Sequence, residues 1–339
     1  MSSISKRLEK MEIFFDQEEF VVVDIGTGYI KAGFSGEDLP RCIIPTVMGE
    51  RTIDVEAQQL AAGGTAVASD LKPKISHVFG NSAFAAHDHE LSYPVQRGII
   101  TDTTHMQTLL EHIFEHELGL QTKDMNVLIT DSPMNTKENK MEICKMMFET
   151  FKVQRFTLVN TATLSLFSTG TTTGLVAESG EGTTYAVPVF EGYALPHAIL
   201  KLNVAGQDVT QKLIDEFIAA KAPVEQKHFQ KVREMKETMC HVSQNYREEV
   251  RSRDDPLNQE QRSYELPGGD IVEVNLQKRI TAAEIIFNPS LAGLNEDGFA
   301  SIAYRSIEMC DEDLRTNLYG NIVLAGGTSL MSGFTERFE

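Results

Sequence analysis

Residues 20–34 carry the pattern that decides the fold, FVVVDIGTGYIKAGF, in which two apolar runs flank a glycine turn. The first run is rich in valine and ends at Asp24, and the second begins at Tyr29. Short β-branched runs on either side of a glycine turn are typical of a β-hairpin, because glycine lets the backbone turn tightly. The pattern therefore predicts a buried strand, a hairpin tip at Gly26-Thr-Gly28 and a second strand.

Two later segments repeat this design of an apolar strand followed by small and polar residues at a turn. They are Glu178-Ser-Gly-Glu-Gly182 and Gly326-Gly-Thr-Ser329. Each turn taken alone is more typical of a tight turn than of a ligand site, and neither the Walker A pattern nor GxGxxG occurs in the sequence. The matching acid-x-Gly-x-Gly patterns at 24–28 and 178–182 nevertheless indicate a duplicated clamp for phosphates.

The residue types at these turns suit a nucleotide with a divalent cation. Glycine lets backbone N–H groups approach phosphate oxygens closely, and the hydroxyls of Thr27 and Ser179 add donors. Asp24 and Glu178 end their strands and are candidates to hold the waters of a Mg²⁺ ion, which prefers oxygen ligands. Lys31 supplies a positive charge beside the first turn.

Apolar periodicity in the rest of the chain alternates between that of strands and that of helices. The clearest helix is predicted at 103–118, where apolar residues recur at helical spacing. The alternation predicts an α/β architecture with mixed sheets. Residues 1–19 are predicted to form a short N-terminal arm. Residues 49–80 lack a sustained period, and this predicts a long mobile loop or a small inserted lobe. Further strands are predicted at 127–130, 155–159, 173–178, 183–190 and 321–325, a turn at 267–270, and further helices at 137–151, 162–168, 207–220, 223–247, 281–287 and 297–310.

Length and composition limit the class of protein. The 339 residues suggest about two domains, and 41% hydrophobic with 24% charged residues is ordinary globular composition. The formal net charge of −18 argues against non-specific binding to the backbone of nucleic acids and against binding to anionic membrane surfaces. The sequence has no apolar run of about 18 residues and no secretory apolar region. We therefore expect a cytoplasmic protein with no direct nucleic-acid partner and no membrane partner.

An alternative chemistry is suggested by His112-Ile-Phe-Glu-His116, which fits the His-x-x-Glu-His pattern of one class of zinc peptidases. The two histidines lie one helical turn apart, as two zinc ligands on one helix require. The sequence offers no identifiable third ligand, and such a short pattern arises easily by chance on an acidic helix. A solvated helix face is the favoured interpretation.

Motifs along almost all of residues 20–339 resemble the actin family. The longest is FEGYALPHAIL at 190–200. The chain is similar to a divergent actin or an actin-related protein rather than to a conventional actin. The other motifs are VDIGTG at 23–28, KAGFSGED at 31–38, a Pro-Arg pair at 40–41, YP at 93–94, GIIT at 98–101, MFETF at 147–151 and IVLAGGT at 322–328.

The resemblance implies the actin-like ATPase fold, an α/β fold of two lobes with duplicated mixed-sheet topology and a nucleotide cleft between them. It implies ATP or ADP with Mg²⁺ or Ca²⁺, and it places Asp24 and Glu178 at the acids that hold the cation through water. The nucleotide-binding positions that it implies are Gly26, Thr27, Gly28, Tyr29 and Lys31 in the first loop, Ser179, Gly180, Glu181 and Gly182 in the second loop, Gly206, Arg233, Lys236 and Glu237 on the ribose and adenine side, and Gly326, Gly327, Thr328, Leu330 and Met331 in the third loop.

The same resemblance divides the chain into an N-terminal arm and four subdomains. Subdomain 1 is expected to be incomplete, because the family normally continues for several dozen residues past the position of Glu339 and those residues help to close it. The expected ranges are 1–19 for the arm, 20–45 and 94–168 for subdomain 1, 46–93 with the mobile loop 49–80 for subdomain 2, 169–204 and 294–339 for subdomain 3, and 205–293 for subdomain 4.

Several departures from the family pattern fall on the positions that carry its chemistry. Glu178 and Glu181 stand where the family usually has Asp, and each adds a methylene in a site where small displacements are costly. The family's water-positioning Gln corresponds to Thr161, and the nearby His that assists the attacking water corresponds to Tyr185. Thr is too short for the first task, and Tyr does not accept a proton at neutral pH.

We therefore expect an ATP-binding cytoskeletal protein whose nucleotide is mainly structural and whose hydrolysis is slow or absent. Its expected partners are the nucleotide and other actin-family or cytoskeletal proteins. Two alternatives stay open: a polymerising actin that hydrolyses ATP, and a scaffold subunit of a dynein-associated, ciliary or chromatin-remodelling complex. The segment that corresponds to the family's apolar plug, 291–298, carries Glu296 and Asp297. Burial of these carboxylates between subunits would cost free energy, so we expect no long filament.

Overall fold

The computed structural model describes residues 19–53, 74–123, 125–251, 261–266 and 269–339. Almost all of the predicted N-terminal arm and the centre of the predicted loop at 49–80 lie outside these residues. The chain forms two compact units. Unit 1 holds the described residues up to Asp131 together with Asn135–Val159, and unit 2 holds Ser132–Met134 together with the described residues from Asn160 to Glu339.

Unit 1 is built on a five-stranded sheet in which the first strand is central, with strand order β10-β9-β1-β2-β3. β1 pairs antiparallel with β2, as the hairpin pattern predicts, and parallel with β9. The described part of the unit also contains a three-stranded sheet and a two-stranded sheet. The strands are β1 Phe20–Ile25, β2 Tyr29–Phe34, β3 Cys42–Pro45, β4 Met48–Ile53, β5 Lys74–Phe79, β6 Glu90–Ser92, β7 Val95–Gln96, β8 Ile99–Ile100, β9 Asn126–Asp131 and β10 Arg155–Asn160.

The described residues of unit 1 form three α-helices, and two of these helices continue as a π-helical turn before they end. These helices are α1 Asn81–Ala85, α2 Thr103–His112 with the π turn Ile113–Glu117, and α3 Lys137–Lys145 with the π turn Met146–Thr150. The apolar face predicted for 103–118 packs into the core of the unit, where Leu109, Leu110 and Phe114 are fully buried. Phe114 meets Phe151 edge to face, with ring centroids 5.3 Å apart.

Unit 2 repeats the central motif of unit 1. β11 pairs antiparallel with β12 and parallel with β17, just as β1 pairs with β2 and β9. The actin-like α/β fold with duplicated mixed-sheet topology is therefore confirmed. The strands are β11 Gly174–Ser179, β12 Thr184–Phe190, β13 Tyr193–Ala194, β14 Leu200–Leu202, β15 Gln261–Glu265, β16 Ile271–Asn275 and β17 Ile322–Ala325.

Eight α-helices and four short 3₁₀ turns surround the strands of unit 2 among the described residues. The first of them, α4, packs on β11 and β12. The division into four subdomains stays a prediction. The α-helices are α4 Thr161–Phe167, α5 Gly206–Ala219, α6 Phe229–Met239, α7 Tyr246–Arg251, α8 Leu276–Glu284, α9 Phe299–Glu308, α10 Glu312–Tyr319 and α11 Phe334–Phe338, and the 3₁₀ turns are Pro196–Ala198, Gln226–His228, Pro289–Ala292 and Gly327–Leu330.

The helix predicted at 223–247 is interrupted. α6 ends at Met239, because Cys240 adopts an extended conformation with φ −72° and ψ 149°. The chain then pairs with the segment after the third loop, where the N–H of Val242 donates to the carbonyl of Ser332 at 2.8 Å. A Cβ at Gly333 would lie 2.2 Å from the carbonyl oxygen of Val242, and Gly333 has φ +79°, so this approach requires glycine. A long-range pairing therefore divides a segment whose periodicity is helical.

The stretch predicted as loop at 49–80 begins and ends in strands. β4 and β5 pair antiparallel, with Glu50 opposite His77, and β4 also pairs with β6. Their alternation of polar and apolar residues is short and lies beside a segment rich in Gly and Ala, so the period over the whole stretch is weak. Residues 54–73, where the centre of the predicted loop falls, lie outside the described residues.

Candidate functional site

The first predicted phosphate loop is a tight hairpin tip in unit 1. The N–H of Gly26 donates to the carbonyl of Tyr29 at 3.0 Å, and a Cβ at Gly26 would lie 2.8 Å from that oxygen. Thr46 supports the tip, because its hydroxyl donates to the carbonyl of Gly26 at 2.7 Å and its N–H donates to the carbonyl of Gly28 at 3.1 Å. Contacts within unit 1 thus hold this loop in one conformation.

Asp24 is fixed at the end of β1 by two donors. The hydroxyl of Thr130 donates to its Oδ1 at 2.8 Å, and Nζ of Lys31 donates to its Oδ2 at 3.2 Å. The oxygen of Thr130 also accepts the N–H of Ile25 at 3.3 Å. The Asp24–Lys31 pair is accessible to solvent, with 35% and 50% of the side chains exposed. A carboxylate held in this way and open to water suits the water shell of a divalent cation.

The hydroxyl of Thr27, predicted as a phosphate donor, accepts the N–H of Gly98 at 2.9 Å. Thr27 thereby joins the hairpin tip to the turn between β7 and β8. Its own proton is not used in that bond, so the hydroxyl keeps the capacity to donate.

The hydroxyl of Ser179, predicted as the matching donor of the second loop, is engaged inside unit 2. Ser179 is fully buried, and its Oγ lies 2.9 Å from Oγ1 of Thr184. Thr184 donates its proton to the carbonyl of Val204 at 2.7 Å, so the proton of Ser179 goes to Thr184. In this conformation the hydroxyl of Ser179 is used for a hydrogen bond inside the core. The backbone groups of this loop are then what it offers to a phosphate.

The second and third loops and the start of α5 meet at the carbonyl of Gly180. The hydroxyl of Thr328 donates to this oxygen at 2.8 Å, and the N–H of Gly206 donates to it at 3.0 Å. A Cβ at Gly206 would lie 2.7 Å from both Oε2 of Glu181 and Oγ1 of Thr328. A Cβ at Gly326 would lie 2.2 Å from the carbonyl oxygen of Ser179. These glycines are therefore required by close packing of the loops.

The residues predicted for the ribose and adenine side converge on Glu181 in the second loop. Nζ of Lys236 donates to Oε2 of Glu181 at 3.2 Å and to the carbonyl of Gly206 at 3.0 Å. Nε of Arg233 lies 3.8 Å from Oε1 of Glu181 and donates to Glu237 at 3.0 Å. Lys236 and Arg233 are both buried, whereas the side chain of Glu237 is 49% exposed. Unit 2 thus brings four predicted ligand residues into one charged cluster on α6 and the second loop.

The end of the third loop presents an apolar surface. Leu330 is 86% exposed, and Met331 packs against the core of unit 2. An exposed leucine offers an apolar surface of the kind that contacts one face of a planar ring.

Thr161 and Tyr185 lie beside Glu178. The hydroxyl of Thr161 donates to Oε2 of Glu178 at 3.2 Å, and Tyr185 is the residue opposite Glu178 in the β11–β12 register. Tyr185 is buried, and its hydroxyl accepts a bond from Ser132 at 3.3 Å. Burial raises the pKa of Tyr185, so its phenol stays protonated at neutral pH. Neither side chain supplies an accessible general base.

Several residues that hold the loops have no counterpart among the predicted site residues. Thr130, Thr46 and Thr184 each use a hydroxyl to fix a loop residue or a strand-end acid. Thr130 directly follows the apolar run Val127-Leu-Ile. This position at the end of a strand is the only sequence signal that it could contact the site. Thr46 and Thr184 carried no distinct signal, because their partners depend on strand register.

The zinc alternative has no support among the described residues. His112 stacks on Phe79, with ring centroids 4.2 Å apart, and its Nε2 lies 3.3 Å from Glu117. Burial lowers the pKa of His112. In the described ranges no three His, Cys, Asp or Glu side chains are grouped so that they could hold a metal ion.

Across the same described segments, no helix is both long enough and apolar enough to cross a membrane.

Comparison with known proteins identifies the family of this chain. Residues 15–339 match the family model described as Actin. The chain is also 33% identical over 337 residues to a protein of Arabidopsis thaliana named Actin-related protein 2, and the match covers 96% of this chain and 81% of that protein. The chain therefore belongs to the actin family, among the actin-related proteins.

Proposed function

We propose that the protein binds an adenine nucleotide, ATP or ADP, together with Mg²⁺ or Ca²⁺. The observation that carries this proposal is a repeated local geometry. In unit 1 the strand-end acid Asp24 accepts the hydroxyl of Thr130, and in unit 2 the strand-end acid Glu178 accepts the hydroxyl of Thr161. Each acid is followed directly by a glycine hairpin tip. A nucleotide with a divalent cation is also what the actin family generally binds.

Each group of residues has a proposed task. Backbone N–H groups of the three glycine loops bind the phosphates, and Lys31 adds positive charge. Asp24 and Glu178 hold the cation through its waters. The ribose and adenine contact Gly206 and the cluster on α6, together with the apolar end of the third loop. That last set consists of Arg233, Lys236, Glu237, Leu330 and Met331.

The binding proposal is tested on protein purified without added nucleotide. We expect extraction to release ATP or ADP, and we expect added Mg-ATP to raise the melting temperature. A ligand at about 100 times its dissociation constant adds about 2.7 kcal/mol to the free energy of unfolding. Absence of extracted nucleotide together with an unchanged melting temperature would overturn the proposal.

Lys31→Ala is the matched substitution for this test. It removes a charge-assisted contact to phosphate, worth about 1.5–3 kcal/mol, so we expect nucleotide affinity to fall by about 10-fold or more. Lys145→Ala is the control, because Lys145 is equally exposed and pairs with Glu142 in an exposed ion pair on α3. Equal nucleotide affinity in the two variants would contradict the role of Lys31.

We further propose that the nucleotide is mainly structural and that its hydrolysis is slow or absent. Thr161 is bonded to Glu178, and Tyr185 is buried and protonated, so neither takes a proton from an attacking water. A positioned acid or base contributes about 10²–10⁴-fold to a rate. Phosphate release per bound ATP should therefore be far slower than for conventional actin under the same conditions.

The double substitution Thr161→Gln, Tyr185→His is expected to raise the rate of phosphate release, because it restores both side-chain types of the family. Thr161→Met, Tyr185→Leu serves as the control for changes in packing, since it changes the two side-chain volumes in the same directions without supplying an amide or an imidazole. Hydrolysis by the unmodified protein at the rate of actin filaments would refute this proposal.

We propose a cytoplasmic location in the cytoskeleton, with other actin-family or cytoskeletal proteins as partners. Family membership supports this proposal. Isolation of the protein from its own cells, with its bound proteins identified by mass, is the test. Recovery with actin-family proteins supports it, and recovery only in nuclear complexes contradicts it.

A further inference from the structure

Unit 2 contains a cavity of about 440 Å³ that none of the proposed nucleotide-binding residues lines. Its walls are the start of α7 at Asn245–Arg247, the end of α8 with Glu284, Phe287 and Asn288, and Arg337 on α11. The walls combine charged, amide and aromatic groups. A cavity of this size accepts a small polar group with a short apolar stem.

Glu284, which lines this cavity, has one hydrogen-bond acceptor that is not used. Only 3% of its side chain is exposed. Its Oε1 accepts Nη2 of Arg337 at 2.9 Å, whereas its Oε2 is buried and has no hydrogen-bond partner among the described residues. Buried polar atoms are nearly always bonded, and a buried acceptor without a donor costs free energy. The unused oxygen therefore calls for a donor that the described residues do not supply.

The charges around Glu284 favour a positively charged donor. Burial raises the pKa of Glu284 to about 7, and Glu249 on α7 adds to this effect, even though Arg337 lowers the pKa. One arginine thus does not offset the desolvation of this carboxylate. Glu284 is also the last residue of α8, where the carbonyl end of a helix attracts cations. Arg247 is exposed at the rim, where water screens its charge.

We propose that this cavity binds a primary ammonium group, which donates to Oε2 of Glu284 while Arg337 keeps Oε1. The alkyl stem of the ligand lies along the aromatic rings of Tyr246 and Phe287. A carboxylate that bridges two cations in this way has both oxygens satisfied. The ammonium can come from a small amine or from a lysine side chain of another protein, and the two sources share this chemistry.

Calorimetric titration of the full chain with nucleotide present tests the proposal. The probes are 1,4-diaminobutane for a small amine and N-acetyl-lysine amide for a lysine side chain, with N-acetyl-norleucine amide as the uncharged control. We expect an ammonium probe to bind and the norleucine probe to fail. Preference for diaminobutane indicates a free amine, and preference for the lysine derivative indicates a protein ligand. Failure of both ammonium probes to bind overturns the proposal.

The pH dependence of binding gives a readout that does not depend on any variant. The ammonium requires the ionised carboxylate, and with a pKa of about 7 the ionised fraction of Glu284 rises from about a tenth at pH 6 to about nine tenths at pH 8. Affinity should therefore rise about 10-fold across this range. An affinity that is constant or higher at pH 6 would overturn the proposal and indicate an anion instead.

Three substitutions separate the role of Glu284 from that of its surroundings. Glu284→Gln keeps an acceptor for Arg337 but removes the charge, so we expect at least a 10-fold loss of ammonium affinity and no remaining pH dependence. Glu336→Gln, on the exposed side of α11, should leave both unchanged. His241 is a second titratable group near this cavity, because its charge interacts with that of Glu249. If Glu284 is the group that controls binding, His241→Gln should keep the pH dependence. Loss of the pH dependence in His241→Gln would contradict the assignment to Glu284.

Discussion

The hydroxyl of Thr130 holds the strand-end acid of unit 1, and its removal should weaken nucleotide binding. Thr130→Val keeps the shape of the side chain but takes one donor from Asp24 and the acceptor from the N–H of Ile25. One hydrogen bond to a charged group is worth about 1.5–3 kcal/mol, so we expect the affinity for Mg²⁺ with nucleotide to fall about 10-fold or more. A Mg²⁺ titration at fixed nucleotide measures this loss.

Thr108→Val is the control for this prediction. The hydroxyl of Thr108 donates to the carbonyl of Thr104 within α2, on an exposed face. It should leave the Mg²⁺ dependence unchanged. If Thr130→Val binds Mg²⁺ with nucleotide as tightly as Thr108→Val, the orientation of Asp24 by Thr130 has no part in binding.

At the residue scale, the sequence predicts which loop residues lie close together better than it predicts which side chains hold them in place. Asp24, Lys31 and the glycines stand in a local pattern, so their proximity follows from a few residues of sequence. Thr130 reaches Asp24 only because β1 and β9 lie side by side in parallel. The hydroxyl of Ser179 shows the converse, because its local pattern suits a phosphate donor while the packing of β12 directs it to Thr184.

At the scale of elements, the start of α5 packs closely against the second and third loops of unit 2. Gly206→Ala would place a methyl group 2.7 Å from both Glu181 and Thr328. Overpacking of this kind typically costs about 1–3 kcal/mol, so we expect a lower melting temperature and weaker nucleotide binding. Gly327→Ala is the control for stability, because a Cβ there would meet nothing within 4 Å. Equal melting temperatures for the two variants would show that the loops adjust freely.

Most of the helices and strands follow from periodicity, and those that do not are governed by distant partners. β1, β2 and the apolar face of α2 agree with their local patterns. The break after Met239 depends on a pairing with Ser332, almost a hundred residues away, which local periodicity does not contain. Periodicity predicts the helix from 281, whereas α8 begins at Leu276, because the signal for this start is the single cap Asn275, whose side chain accepts the N–H of Lys278 at 2.9 Å.

At the scale of the whole molecule, the duplication of the fold is the feature that can be predicted from the fewest residues. Two copies of an acid-x-Gly-x-Gly pattern are enough to predict two similar units, because each copy needs the same hairpin and the same parallel neighbour. Both neighbours are present, β9 for β1 and β17 for β11. The two tips differ in detail, since Glu178 and Glu181 replace the usual Asp. The sequence therefore predicts the strands and turns that the two units share. The side-chain contacts around each turn differ between the units and are not predicted.

The last prediction concerns assembly of many copies. In the segment that resembles the apolar plug of the family, Leu291 and Leu294 pack against the core of unit 2. Its two acids are also engaged within the unit, since Glu296 accepts Nδ2 of Asn203 at 2.9 Å and Asp297 pairs with Arg305. Insertion into another subunit would break these contacts and bury two carboxylates against a chain of net charge −18.

We therefore expect no long filament at physiological salt, where the screening length of about 8 Å weakens distant repulsion but leaves the cost of burying the two acids. Light scattering should stay at the monomer level at concentrations where conventional actin, run in parallel, polymerises. Electron microscopy checks the same samples, and ordered double-stranded filaments of the unmodified chain would contradict the prediction. Neutralisation by Glu296→Gln and Asp297→Asn tests the cause: if charge burial is the barrier, the double variant should assemble more readily than the unmodified chain.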